Sequence, residues 1–534
     1  METKILSADI VIVGLGPTGL VLGNILGLQG WRVVAFEREE DVYYAPRAVH
    51  FDDEIMRIFQ AIGLSEAIAP SSEVFTEMAL LGKPGGKPLL RAKIGSQDMR
   101  YGHEGAWWFH QPTLERHLWE GIARFTNVTA FRGANVLAVE QDTSTVQATA
   151  KLRDGQHLMV QAKYLVGCDG GRSFVRKAAG LRLASAGFDE AWVVVDTKSR
   201  CGGKDPALPA HHTQICDPRQ PITYVPMAGP YYEWQFMVTG GKSEQDATNP
   251  AFVRSQLKQF VALDRVEINR IAHYRFHALW ATEWRNERIV LAGDAAHQMP
   301  PFLGQGMCSG IRDAEALGWR LDLILRQKAN EALLDSYEVE RLDHVSHIIK
   351  GAIFLGRIIQ TRNRWLALLR NTLLFWPARR SSHLNQLVYR IANRKQPLRR
   401  GFFGHTRPRA AGRLAIQPRV FYGGKYLLLD DVSPGGFLIL ARQGTFNNEH
   451  AAIDRLAHQF NVTVQEIGPF GSGAPVVDLD EKLLDWMDGI NADFVIIRPD
   501  HYVFDAGRAA DFSRVAAELT LALNPPLATQ RHAA

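Results

Sequence analysis

Asp9 to Val13 is a short apolar run rich in branched residues, and it leads directly into Gly14-Leu-Gly16-Pro-Thr-Gly19. No other stretch constrains the fold as strongly. A strand, a tight turn and a helix are predicted in succession, with Leu20, Leu22, Ile25, Leu26 and Leu28 supplying the helix with apolar faces and Gly30 placed to end it. Arg32 to Phe36 then reads as a second buried strand closing on Glu37, which completes a βαβ unit. Gly14 allows a tight turn, Gly16 lets backbone approach a pyrophosphate, and Gly19 lets the helix pack on the sheet. Glu37, 18 residues after Gly19, is placed to accept hydrogen bonds from a ribose hydroxyl. The unit predicts a dinucleotide but does not by itself choose between FAD and a nicotinamide cofactor.

The bulk of the chain sets limits on what surrounds this unit. Its 534 residues suggest about three folded units. With 46% hydrophobic and 22% charged residues, neither disorder nor a fibrous architecture is indicated. Lys and Arg total 61 against 56 Asp and Glu, a net +5 too weak to argue for nucleic acid. The four cysteines, Cys168, Cys201, Cys216 and Cys308, form no Cys-x-x-Cys pair and have no histidines at zinc-ligand spacing, so no metal is expected. Sparse cysteine and an N-terminus without an export signal predict a cytoplasmic setting. Ala352 to Trp376 is apolar, but Arg357, Arg362, Arg364 and Arg370 interrupt it well short of the ~20 residues of a membrane span. It reads as an amphipathic helix packed on the core or on a partner subunit, which leaves a homodimer open.

Further along, Trp192 to Val195, Ile222 to Val225 and Tyr232 to Val238 read as strands of a mixed sheet. Tyr164 to Gly167 runs into Cys168-Asp169-Gly170, and Arg288 to Leu291 runs into Ala292-Gly293-Asp294, two more strand-to-turn junctions. The second precedes a Gly-rich loop and a helix from about Met307 to Arg326. After a basic helical stretch and a linker from Arg394 to Gly404, Phe437 to Leu440 and Phe494 to Ile497 read as strands of a small α/β unit. Lys482 to Trp486 and Phe512 to Leu523 read as its helices, and Asn524 to Ala534 as a loose tail.

Asp169-Gly170 and Gly293-Asp294, in this order after the first βαβ unit, resemble the paired fingerprints of the flavoprotein aromatic hydroxylases. The likeness is strongest to the 3-(3-hydroxyphenyl)propionate hydroxylases and allied phenol hydroxylases. It is carried by Ala45-Pro-Arg47-Ala-Val-His-Phe-Asp-Asp-Glu54, Cys168-Asp-Gly-Gly-Arg-Ser-Phe-Val-Arg176, Ala292-Gly-Asp-Ala-Ala-His-Gln-Met-Pro300 and Ala492-Asp-Phe-Val-Ile-Ile-Arg-Pro-Asp500. The resemblance implies an α/β fold: a Rossmann-like FAD-binding domain (1–180 and 270–400, discontinuous), an inserted mixed β-sheet substrate domain (181–269), and a C-terminal thioredoxin-like domain (401–534). With no cysteine after Cys308, disulfide chemistry in that last domain is excluded.

The same resemblance implies that Gly14, Gly16, Pro17, Thr18, Gly19, Glu37, Arg38, Arg47, Gln111, Asp169, Gly293 and Asp294 hold FAD, Asp294 at the ribityl chain. Gly304, Gln305, Gly306 and Met307 at a helix start would face the pyrimidine edge of the flavin, where a helix N-terminus stabilises negative charge. Pro301 would shape the loop beside the reactive edge, and Arg47 and Pro301 are the candidates nearest the chemistry. In the family's cycle NADH or NADPH reduces FAD, dioxygen forms a flavin hydroperoxide, and its distal oxygen passes to a small phenolic substrate. The flavin performs the chemistry and the protein excludes water. The chain has no second Gly-x-Gly-x-x-Gly for a separate nicotinamide domain. His211, His212, Tyr224, Tyr232 and Trp234 are the expected pocket residues. Two rivals stay open: a biosynthetic monooxygenase of fused aromatics such as polyketides, and a flavin-binding electron-transfer or regulatory protein. A flavin halogenase is disfavoured because Trp-x-Trp-x-Ile-Pro is absent.

Overall fold

A computed structural model describes residues 4–42, 48–95, 99–381, 383–384, 395–406, 409–433, 435–446, 450–460 and 462–524. The predicted first unit is present as β1 (Ile10–Val13), α1 (Pro17–Leu28) and β2 (Val33–Glu37). Two of the helices that follow are α2 (Asp53–Ala61), capped by Asp52 accepting from the Ile55 amide at 3.2 Å, and α3 (Gln111–Ala123). Two parallel strands flank the unit, β3 (Val128–Arg132) beside β2 and β4 (Tyr164–Gly167) beside β1. The short helix α4 (Phe174–Ala178) follows β4.

The chain then leaves for a second sheet. Its strands β5 (Leu183–Ser199), β6 (His212–Ile215), β7 (Ile222–Pro226) and β8 (Tyr231–Met237) are followed by helix α5 (Pro250–Leu257) and the long return strand β9 (Val266–Ala281). The sheet has eight strands, because Glu77–Leu81 and Pro88–Lys93 extend it beyond β6 and His297–Gln298 borders β9. Returning, β10 (Ile289–Leu291) pairs with β4, which sets the parallel order β10-β4-β1-β2-β3 in the first sheet. Helices α6 (Gly306–Leu325) and α7 (Leu333–Ile359) cover it, α6 packing along α1.

Strand alternation gives the second sheet two different faces. Val193, Val195, Ile222, Tyr224, Tyr232, Trp234 and Phe236 form one buried core with Val253 and Leu257 of α5. The residues between them, Val225 and Tyr231 among others, point to the opposite face, where Val225 and Tyr231 cluster with Trp108.

Of the amphipathic segment, Ala352, Ile353, Ile359, Ala367, Arg370 and Phe375 are among the buried residues, and Phe375, with Ala378 just beyond the segment, packs against Leu80 and Leu90. Arg370 donates to the Ile358 carbonyl at 2.8 Å and the Cys216 carbonyl at 2.9 Å, pinning the segment to the sheet. Trp365, Leu366, Leu369 and Leu373 remain exposed. No described helix is long and apolar enough to cross a membrane.

The last unit is a seven-stranded sheet containing β11 (Phe437–Arg442), β12 (Val462–Pro469), β13 (Phe494–Ile497) and β14 (Val503–Gly507) in the order β12-β11-β13-β14. Residues 525–534 of the expected tail lie outside the described residues.

Candidate active site

The three glycines of the first turn differ in what holds them. At Gly14 φ is +95°, and a Cβ would lie 2.5 Å from the Cys168 carbonyl oxygen; a Cβ on Gly19 would lie 2.0 Å from the Gly14 oxygen. The protein's own packing therefore accounts for both. Gly16 is different: its φ of −71° suits any residue, and a Cβ there would meet nothing within 4 Å. Its missing side chain leaves open space at the N-terminus of α1, where unbonded amides favour an anion. Pro17 opens that helix. Glu37 sits at the turn, one oxygen accepting from the Leu15 amide at 2.7 Å and the other from the Glu39 amide at 3.0 Å. Arg38 beside it is exposed and leans on Glu39 at 3.2 Å. Thr18 is a wedge: a Cβ on Gly293 would lie 2.6 Å, and one on Gly310 2.3 Å, from its hydroxyl oxygen. The second fingerprint and α6 thus pack directly on the first.

Asp294 is exposed in a run where Leu291 to His297 are otherwise buried, so it projects from the loop as a ribityl contact would. Asp169 is turned inward. It accepts from the Ser173 hydroxyl and from the Phe174 and Val175 amides at 2.6 and 3.0 Å, capping α4 and shaping its own turn. Gln111 begins α3, accepts from the Ala48 amide at 2.8 Å and donates to Glu115 at 2.6 Å, which fixes the end of the segment carrying Arg47. Arg47 itself lies outside the described residues. Pro301 opens a short 3-10 turn that closes at Gly304, with φ +63°, and Gln305 is the N-cap of α6, followed by Gly306 and Met307.

Residues not foreseen hold these loops in place. Asp313, on the second turn of α6, accepts from the Gly293 amide at 3.0 Å, from His297 Nε2 at 2.7 Å and from Arg341 Nε at 2.7 Å. Burial opposes its charge, yet His297 and Arg341 prevail and hold its pKa down at about 2. Arg176 donates to the Ala295 carbonyl at 2.7 Å and the Gly171 carbonyl at 3.0 Å, tying the two Asp-Gly fingerprints together.

Beside Gly304 lies an aromatic cluster. A Cβ on Gly304 would lie 3.0 Å from His50 Nδ1. The His50 ring packs edge-on against Phe75 at 5.4 Å and Trp108 at 5.9 Å, and Trp108 contacts His212 at 5.9 Å. Tyr231 stacks on His110 at 4.2 Å. Burial pushes both His50 and His212 down to about 4, so both rings are neutral at pH 7. Of the expected pocket residues, His212 is in this cluster, and His211 is its neighbour at the strand end. Tyr224, Tyr232 and Trp234 are not: they occupy the opposite face, in the core with α5. Their residue types suited a pocket, but their phase along β7 and β8 points them away.

A family model described as an FAD binding domain matches residues 7–352. The chain belongs to the FAD-dependent aromatic hydroxylases. A second model, the HcaD C-terminal domain, matches residues 412–522. The hydroxylase is 35% identical over 531 residues to a probable NADH-specific resorcinol 4-hydroxylase of Rhodococcus jostii, covering 97% of this chain and 96% of the relative. It is 36% identical over 445 residues to a 3-(3-hydroxy-phenyl)propionate/3-hydroxycinnamic acid hydroxylase of Mycolicibacterium gilvum, covering 82% and 76%. Among solved structures it is similar in fold to the flavin-dependent monooxygenase PieE in complex with FAD and substrate (TM-score 0.81, 20% identity, 97% and 99% of the two chains). Aklavinone-11 hydroxylase with FAD and aklavinone is also similar in fold (TM-score 0.78, 21%, 97% and 99%). FAD fits the residues described: open space at Gly16, a projecting Asp294, and the start of α6.

Proposed function

We propose that this hydroxylase acts with NADH and dioxygen on a single-ring phenol of the resorcinol type, bound between the start of α6 and the aromatic face of the second sheet. The observation that carries the reading is the cluster of His50, Phe75, Trp108, His212 and Tyr231 against Gly304. It is an aromatic wall with two neutral imidazoles, facing the loop of Pro301 to Gly304 at the start of α6, beside which the reactive edge of the flavin belongs. When bound, FAD accepts hydride from the nicotinamide and supplies activated oxygen.

The chain's own residues do the remaining work. Gly16 and the first turn of α1 take the pyrophosphate, Glu37 and Asp294 take ribose and ribityl hydroxyls, and the amides of Gly304 to Met307 face the pyrimidine edge. His50 or His212, each neutral, accepts the proton of the substrate hydroxyl, which raises electron density on the ring carbons to be oxygenated. The aromatic walls keep water out.

Two observations favour a neutral single ring over its rivals. Lys204, which reaches the cluster at the Met227 carbonyl, is already paired with Glu73 at 3.0 Å, leaving its charge met rather than offered to a propionate. The relatives at 35% and 36% identity are named for single-ring phenols, whereas the enzyme named for the fused-ring aklavinone shares only the fold at 21% identity.

We divide the labour as residues 1–180 with 270–400 for the cofactor, 181–269 for the substrate and 401–534 as a brace. The order β12-β11-β13-β14, with β11 and β12 parallel and the other pairs antiparallel, supports a thioredoxin-like reading of the brace.

The test is NADH and NADPH oxidation with and without resorcinol, 3-(3-hydroxyphenyl)propionate and phenol, with product masses. Resorcinol-stimulated NADH oxidation yielding a product heavier by one oxygen is expected; no response to any phenol overturns the reading. His50→Ala should lower kcat/KM by about 10²–10⁴-fold with FAD affinity retained. An unchanged kcat/KM removes His50 from the proton path.

A further inference from the structure

The C-terminal domain reaches the flavin-facing end of α6 through three buried side chains. Tyr502 begins on a tight turn in which the His501 amide donates to the Arg498 carbonyl at 2.9 Å, and His501 holds a left-handed φ of +63°. Such a conformation is unfavourable for a non-glycine residue and persists only where neighbours over-determine it. They do so here: Arg498 donates to Glu340 at 2.7 and 3.0 Å, Trp319 donates to Asp500 at 2.9 Å, and His501 lies 3.2 Å from Glu315 and 3.3 Å from Asp430.

The turn therefore aims one hydroxyl. Tyr502 donates to Glu54 Oε1 at 2.8 Å. The other oxygen of Glu54 accepts from Arg312 Nε at 2.7 Å. Arg312 then donates to Asp52 at 2.7 Å and to Gln305 Oε1 at 2.8 Å, and Gln305 is the N-cap of α6. Lys395 adds its charge to the same carboxylates, 3.0 Å from Asp52.

From this unbroken chain we infer that Tyr502, in the C-terminal domain, is a positioning residue for the flavin: through Glu54 and Arg312 it fixes Gln305 and hence the amides of Gly306 and Met307 at the pyrimidine edge. The inference rests on the reading that these amides face the flavin. Glu54 has two acceptor oxygens: Tyr502 donates to one, and Arg312 donates to the other, with Lys395 3.9 Å from it. Removing the Tyr502 hydroxyl frees one side of the carboxylate, and Arg312 follows it away from Gln305.

The experiment is a double-mutant cycle on the full-length chain, Tyr502→Phe with Gln305→Ala. It reads the FAD dissociation constant by flavin fluorescence, the reduction potential of bound FAD, and hydrogen peroxide released per NADH consumed. Leu414→Ala, which loosens the apolar packing beside Tyr502, serves as a control for mere destabilisation. Tyr502→Phe should weaken FAD binding by about three- to tenfold and raise peroxide release with the melting temperature nearly unchanged. The double variant should be no worse than Gln305→Ala alone, and Leu414→Ala should lower the melting temperature while leaving FAD affinity intact.

If Gln305→Ala alters FAD affinity and potential but Tyr502→Phe alters neither, or if the two effects simply add, the positioning role is wrong and the flavin site stands. If Gln305→Ala leaves affinity, potential and the flavin spectrum unchanged, the start of α6 does not face the flavin, and both readings fall.

Discussion

Gly16→Ala separates cofactor binding from folding more cleanly than any other substitution in the nucleotide turn. At φ −71° an alanine is unstrained, and its Cβ meets no protein atom within 4 Å. Replacing a glycine at a compatible backbone position gains about 0.4–1 kcal/mol by restricting the unfolded chain. Alanine is a poorer N-cap than glycine, which costs up to about 1 kcal/mol. These nearly cancel, so the melting temperature of the apo-protein should move by no more than about 4 °C. With FAD bound, the same methyl occupies space meant for the pyrophosphate. Overpacking at such a contact costs about 1–3 kcal/mol, which corresponds to about 5- to 150-fold in the dissociation constant. Fluorescence titration of deflavinated protein measures the second quantity and calorimetry of the apo-protein the first. Gly14→Ala is the companion: with φ +95° and its Cβ 2.5 Å from the Cys168 carbonyl oxygen, it should destabilise the apo-protein itself. If Gly16→Ala binds FAD as tightly as the parent, or melts as low as Gly14→Ala, the open space at Gly16 is not the pyrophosphate site.

Two further predictions concern buried charge. Asp313→Asn leaves Arg341 buried without its carboxylate and should cost about 3–5 kcal/mol in denaturant unfolding. Because the folded-state pKa is depressed from 3.8 to about 2, the carboxylate's contribution is present above 3.8 and lost as pH falls through about 2. The gap between parent and variant should therefore hold at neutral pH and shrink in acid; a gap that is constant down to about pH 2 contradicts the assignment. Glu233 behaves oppositely, since burial, aided by Asp196 opposite it, raises its pKa from 4.5 to about 8. The stability it contributes is present below 4.5 and lost as pH rises through about 8, so Glu233→Gln should flatten the decline in urea midpoint between about pH 4.5 and about pH 8. Parallel curves for the two proteins would refute it.

The first βαβ unit was legible because its constraints are local. A strand, three glycines and Glu37 lie within 28 residues, and their spacing alone prescribes a turn, a close approach and a helix start. The clamps on those loops were not legible. Asp313 lies 20 residues from Gly293 and Arg176 lies 119 from Ala295, and only the folded chain sets them side by side. The placing of the expected pocket residues was not legible for another reason. Residue type suits Tyr224, Tyr232 and Trp234 to a pocket, but a strand has two faces, and which of them joins the core depends on where α5 packs. A signal was present: Val225 and Tyr231 alternate with the three aromatics, so one phase had to face α5 and the other Trp108. His50 lay inside a motif whose likeness was recognised without assigning that residue a role.

The C-terminal domain shows why a unit without redox cysteines belongs with the flavin. In the proposed function helix α6 keeps its N-terminal amides against a charged edge, and its twenty residues span about 30 Å. Near its far end, Trp319 is bonded to Asp500 and Arg320 lies 2.7 Å from Glu340. Near its flavin end, Arg312 is joined through Glu54 to Tyr502. Asp500 and Tyr502 belong to one turn, so both parts of the helix are referenced to the same rigid point. An apolar interface of equal area would bury as well but would tolerate sliding along the helix axis. Directional bonds from Arg498 to Glu340 and Asp500, and from Arg312 to Glu54, do not, since a shift of one turn would leave each buried charge unpaired at a cost of several kcal/mol. The domain thereby fixes the position of a helix, and on the inference drawn from Tyr502 this is how it acts on the flavin, without contributing an atom to the chemistry.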